Sequence, residues 1–130
     1  MKLALILTLF ALPVMAETPL TGDAFEDLVE GKTLTFSNGL APYGVEYYAP
    51  NRRVIWSFVG GECVNGEWYE EVRETGPTIC FVYENESGPK CWEVFNINGQ
   101  IRADFVGATS TTILFEAQES EPLICGGVGA

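Results

Sequence analysis

From Lys32 onward, apolar and polar residues alternate with a period of two, and turn-forming residues interrupt the alternation at intervals of about ten positions. Short antiparallel strands produce this pattern. Eight are predicted, over 32–37, 43–49, 53–59, 66–72, 78–84, 90–97, 100–106 and 111–117, joined by short loops. Ahead of them the spacing is helical. Phe25, Leu28 and Val29 fall on one face, Thr21 can cap the start, Asp23, Glu26 and Asp27 complement the early dipole, and Gly31 suits a left-handed stop. One helix of about two to three turns should result.

The clearest turn is Asn98–Gly99, because both central positions of a type I′ hairpin need positive φ and these residues tolerate it. A two-residue loop sets Ile97 against Gln100, Asn96 against Ile101, Val94 against Ala103 and Trp92 against Phe105. That face is mostly apolar. The other carries Phe95 with Arg102 and Glu93 with Asp104, and belongs in solvent.

The stretch ICFVYENESGPKCW, residues 79–92, can be registered against this hairpin. Setting Cys80 opposite Cys91 places Ile79, Phe81 and Tyr83 on the side of Trp92 and Val94, with the cysteines on the outer side beside Val82 and Glu93. Opposed Cα atoms in a non-hydrogen-bonded pair lie about 4.5–5.5 Å apart, within the span of a disulfide. Cys80–Cys91 is therefore expected to staple one hairpin, and by elimination Cys63 pairs with Cys125. Gly60 and Gly61 read as a bulge: after Val54, Trp56 and Phe58, a one-residue phase change would leave Cys63 near the core side beside Trp68. The fold class is all-β, an eight-stranded antiparallel meander curling into a small barrel or half-barrel behind one short helix. A two-sheet β-sandwich is the alternative.

The N-terminus decides which compartment the cysteines occupy. Lys2, the apolar run 3–12, then Pro13, Val14, Met15 and Ala16 have the order of a secretory signal peptide, predicting a mature single domain over 17–130. Export would be periplasmic or extracellular, where four cysteines in a small chain form disulfides. Zinc sites bring their ligands in close pairs, whereas these cysteines are far apart and the chain has no histidine. The missing histidine also removes the usual serine and cysteine triads. A formal charge of -11, one unit more negative once Lys2 is lost, repels phosphate backbones and anionic headgroups, so neither nucleic acid nor membrane is an expected partner.

The inward set holds Trp56, Trp68, Phe81, Tyr83, Trp92 and Phe105, joined by Asn96 near a strand end. So many rings in so short a chain are expected to fill the core; the alternative is an aromatic-lined pocket at one mouth, in which Asn96 or the Tyr83 hydroxyl could orient a ligand. Glu67, Glu70, Glu71 and Glu74, interrupted by Arg73, lack the glycine-centred loop of a calcium site and read as a solvated face. Carboxylate pairs of the glycosidase kind arise by chance in so acidic a chain and select nothing. Asn85-Glu86-Ser87 spells a glycosylation sequon, expected bare in bacterial export. Arg52 and Arg53 are the paired cations of a turn, solubilising or contacting an anionic partner. No catalytic residue, metal or cofactor is called for.

EYYAP (46–50), GEW (66–68), ICFVYE (79–84), KCW (90–92) and the following NG turn resemble a group of small exported bacterial proteins of uncharacterised function, over most of the mature chain. The resemblance implies a lipocalin-like barrel and no catalytic residues. In true lipocalins a Gly-x-Trp opens the first strand; here Gly66 and Trp68 sit in mid-chain. Two functions follow as expectations: a non-enzymatic exported barrel that binds a small apolar or amphipathic ligand or a protein partner, or a small enzyme or inhibitor working through its loops.

Overall fold

Helix α1 (Gly22–Val29) starts at Thr21, whose hydroxyl oxygen accepts from the Ala24 amide at 3.2 Å, and ends where Gly31 takes a φ of 79°. In this computed structural model, residues 8–11, 17–107 and 111–125 are described. The expected signal segment lies mostly outside the described residues, as do residues 108–110 and 126–130. Among the described residues, no helix is long and apolar enough to cross a membrane.

The strands are β1 (Thr33–Ser37), β2 (Pro42–Ala49), β3 (Arg53–Phe58), β4 (Cys63–Arg73), β5 (Gly76–Tyr83), β6 (Lys90–Ile97), β7 (Gln100–Val106) and β8 (Ile113–Glu116). Each pairs antiparallel with the next, and β1 pairs with β8 through Phe36↔Glu116 and Ser37↔Phe115. The sheet is thereby a closed barrel, which excludes the sandwich. The β6–β7 register runs from Ile97↔Gln100 to Trp92↔Phe105 as the Asn98–Gly99 turn requires, and both turn residues have positive φ.

Cys80 faces Cys91 across β5 and β6, and a disulfide joins them at a Cα separation of 3.9 Å, closer than the spacing anticipated. Cys63 is bonded to Cys125. The expected bulge at Gly60–Gly61 is instead a hairpin turn: the Gly61 amide donates to the Phe58 carbonyl, Gly60 has a φ of 75°, and the β3–β4 register runs unbroken from Arg53↔Glu67 to Ser57↔Cys63. With no phase change, Cys63 lies on the face opposite Trp68, outside the barrel. The outward row Thr35, Val45 and Ser57 is nevertheless buried. The segment after β8 covers it: Ser120 Oγ donates to the Thr33 carbonyl, the Glu121 amide donates to Thr35 Oγ1, and Cys125 ties the tail to Cys63.

Phe25 of α1 plugs one end of the barrel. Its ring meets Tyr48, Trp68 and Phe81 edge-on at 5.6, 5.0 and 6.3 Å. Arg52, in the β2–β3 turn, lies 4.6 Å over Trp68 and pairs with Asp23 at 2.9 Å and Glu26 at 3.1 Å, while Glu70 accepts from the Gly22 amide. The arginine considered as an anion contact therefore fastens the helix to the barrel.

Candidate functional site

Strand alternation places Glu46 inside the barrel. It shares a face with Gly44 and Tyr48 and lies directly opposite Leu34 of β1 and Trp56 of β3. Only 3% of the residue is exposed. The Tyr83 hydroxyl, from β5, donates to Glu46 Oε2 at 2.5 Å, and the Tyr48 phenol, on the same strand as Glu46, stands close enough to favour the charged carboxylate. Burial pushes the Glu46 carboxyl up to about 7; the two phenols, which favour the charged form, pull it part of the way back. Burial, then the Glu46 charge, hold both tyrosines well above the ordinary phenol range, so they stay neutral donors.

Two glycines make room for the rings around this carboxyl. A Cβ on Gly44 would lie 2.3 Å from the Trp56 ring, and one on Gly66 would lie 2.7 Å from the Tyr83 ring. Both positions need a residue without a side chain for the indole and the phenol to lie against the backbone. Phe81 and Tyr83 stack 6.1 Å apart with planes 7° from parallel.

The space left in the barrel is a cavity of about 90 Å³. A single water needs roughly 10–15 Å³ in comparable terms. Its lining passes from buried Phe25 and Phe36, through Glu46, Trp56 and Phe81, to exposed Phe58, Asn85 and Lys90. The helix end is thus closed and the opposite end open. At the open end Lys90 Nζ pairs with Glu86 Oε1 at 2.9 Å, leaving buried Glu86 Oε2 without a partner.

Of the residues expected to line a pocket, Trp56, Phe81, Tyr83 and Trp92 do so. Trp68 does not: it lies beneath Phe25 and Arg52, 4% exposed. Asn96 is exposed beside the hairpin tip, where its Oδ1 accepts from the Gly99 amide at 2.7 Å and shapes the turn. Phe105 packs edge-on against Trp92 at 5.1 Å, outside the lining set. The interior is therefore neither wholly filled nor lined as far toward the β6–β7 turn as the alternation suggested.

Elsewhere, Glu71 lies against the Cys80–Cys91 sulfurs. That trio cannot chelate an ion through thiolates, since both sulfurs are committed to the disulfide. Glu70 binds the helix amide and Glu71 pairs with Arg73 at 3.3 Å, so these two neighbouring carboxylates of β4 go to separate structural contacts. Asn85 of the sequon is exposed at the rim.

Glu46 was not among the expected site residues. Its strand looks apolar in both phases, Val45 and Tyr47 in one and Tyr48 in the other, and the tail buries the outer row at Val45 as well. The available signal was a pair of strand-interior glycines, Gly44 and Gly66, each opposite or beside a large ring. No protein-family profile, curated protein or solved structure matches this chain.

Proposed function

We propose that this is an exported, non-enzymatic binding protein that takes a small apolar or amphipathic ligand into its barrel. The observation that carries the proposal is the cavity of about 90 Å³, closed at one end by Phe25, open at the other and walled mainly by aromatic rings. Such a chamber suits a compact ligand that buries apolar area and presents one polar group. The volume is too small for a long acyl chain, which would have to remain largely outside. Export fits the two intramolecular disulfides, which need an oxidising compartment to form and persist. The kinship with small exported bacterial proteins of lipocalin-like plan belongs to the same proposal, and the closed barrel agrees with it.

A catalytic alternative has one observation in its favour, since a carboxyl titrating at about 7 has the value a general base needs near neutral pH. The Tyr83 phenol donates to Glu46 itself and so is not aimed at a reacting group. Binding is the simpler use of the chamber. Trp56 and Trp92 line it, so a small aromatic alcohol should quench tryptophan fluorescence saturably with one-to-one stoichiometry. Quenching that only rises linearly with concentration refutes occupancy of the chamber. Native mass spectrometry of protein purified from its own cells would reveal a retained ligand directly.

A further inference from the structure

Two carboxyls line the chamber, Glu86 at the mouth and Glu46 deeper among aromatic side chains, and among the described residues no cation is set against Glu46. Lys90, the one cation among the described lining residues, is at the mouth and taken by Glu86. Glu46 therefore lacks the positive partner that a buried carboxylate ordinarily has. The Tyr83 hydrogen bond leaves it acceptor capacity, because a carboxylate offers roughly four lone-pair directions. The faces of Trp56, Phe81 and Tyr83 carry the negative side of the ring quadrupole, which attracts a desolvated cation more than a neutral group of the same shape.

Resting on the barrel-binding proposal above, we propose that the chamber is a site for a compact organic ammonium ion, its cationic head held between the Glu46 carboxylate and the surrounding rings. Anions are disfavoured. Glu46 repels them, and so does Glu116, which faces inward from β8 and accepts from the Ile101 amide at 2.9 Å. A chain of formal charge -11 also raises the local concentration of small cations around the mouth. The volume admits a head of a few heavy atoms, with any remainder extending past Phe58 and Asn85.

Binding must then follow Glu46 ionisation. Facing it are Tyr48 on its own strand, Trp56 from β3, Tyr83 from β5 and Leu34 from β1; Glu116 acts on Tyr48 from β8, and Glu86 acts on Tyr83 from the rim. Both tyrosines stay neutral through the relevant range. A cation bound to the ionised form loses affinity as pH falls below about 7.

The probe pair is choline and its uncharged carbon isostere 3,3-dimethylbutan-1-ol, titrated calorimetrically into the oxidised full chain and its Glu46→Gln variant at pH 6 and pH 8. In the unmodified protein at pH 8, choline should bind at least roughly tenfold tighter than the alcohol, and weaken by about tenfold at pH 6 while the alcohol holds. Glu46→Gln should abolish the preference and keep the alcohol. If the variant fails to fold, the charge preference and pH dependence of the unmodified protein decide alone. Equal binding of both probes, independent of pH, overturns the ammonium assignment and leaves the chamber standing; no binding of either overturns both.

Discussion

Replacing Glu46 by Gln should remove a pH dependence of stability that the unmodified protein carries. Folding moves this carboxyl from an ordinary 4.5 to about 7, so the native state holds the proton more tightly than the unfolded chain. The sign follows. With the folded value raised, the group costs nothing below about 4.5, costs progressively more as pH rises from there to about 7, and costs a constant amount above. Linkage over that interval gives a loss of roughly 2–3 kcal/mol between pH 5 and pH 8. With a urea slope of about 1–3 kcal/mol per molar for a domain of this size, the unfolding midpoint should fall by roughly 0.7–3 M more in the unmodified protein than in the variant over the same interval. Urea unfolding followed by tryptophan fluorescence, disulfides intact, measures it. The surface carboxylates are common to both proteins and cancel in the difference. Parallel pH profiles would refute a buried, raised Glu46.

Other substitutions test the packing around it. Gly44→Ala and Gly66→Ala each drive a methyl into a ring and a carbonyl, at 2.3 and 2.8 Å for the first and 2.7 and 2.7 Å for the second, and should each cost about 1–3 kcal/mol in the same unfolding assay. Phe25→Ala removes a ring only 1% exposed and should cost about 3–5 kcal/mol while opening the closed end, so a hydrophobic dye should bind the variant more strongly. Arg52→Ala should lose up to about 1 kcal/mol and raise amide exchange across α1 before any strand is affected. Loss of Cys63–Cys125, which spans 62 residues, should destabilise by about 4 kcal/mol, more than the roughly 3 kcal/mol for Cys80–Cys91, which spans 11. The reverse order would show that the tail contributes little.

Much of the barrel was legible because turns fix register. Asn98–Gly99 admits one geometry, and from it every pair to Trp92↔Phe105 follows; Cys80–Cys91 then locks the neighbouring hairpin to the same face. The β2–β3 turn gave no such guidance. Pro50, Asn51 and Arg52 form a three-residue loop with positive φ at the last two, and a two-residue loop at Pro50–Asn51 would have moved Glu46 to the face of Ser57 instead of that of Trp56. Position 61 misled for a related reason, because two glycines serve a hairpin turn as well as a bulge. Local sequence also cannot show that residues past 117 lie over the outer row of β1, β2 and β3, and it was that cover which made β2 look apolar on both sides. Asn96 lay in the correct register and on the predicted face, yet it sits too close to the tip to be enclosed.

The most direct measurement is a carbon-13 NMR titration of the glutamate side-chain carboxyls, with Glu46→Gln to assign the resonance. One carboxyl titrating at about 7 and missing from the variant is the result expected of a barrel whose interior acid stands among rings. If every glutamate in the native, oxidised protein instead titrates between about 4 and 5, Glu46 is solvated and the chamber described for it does not exist.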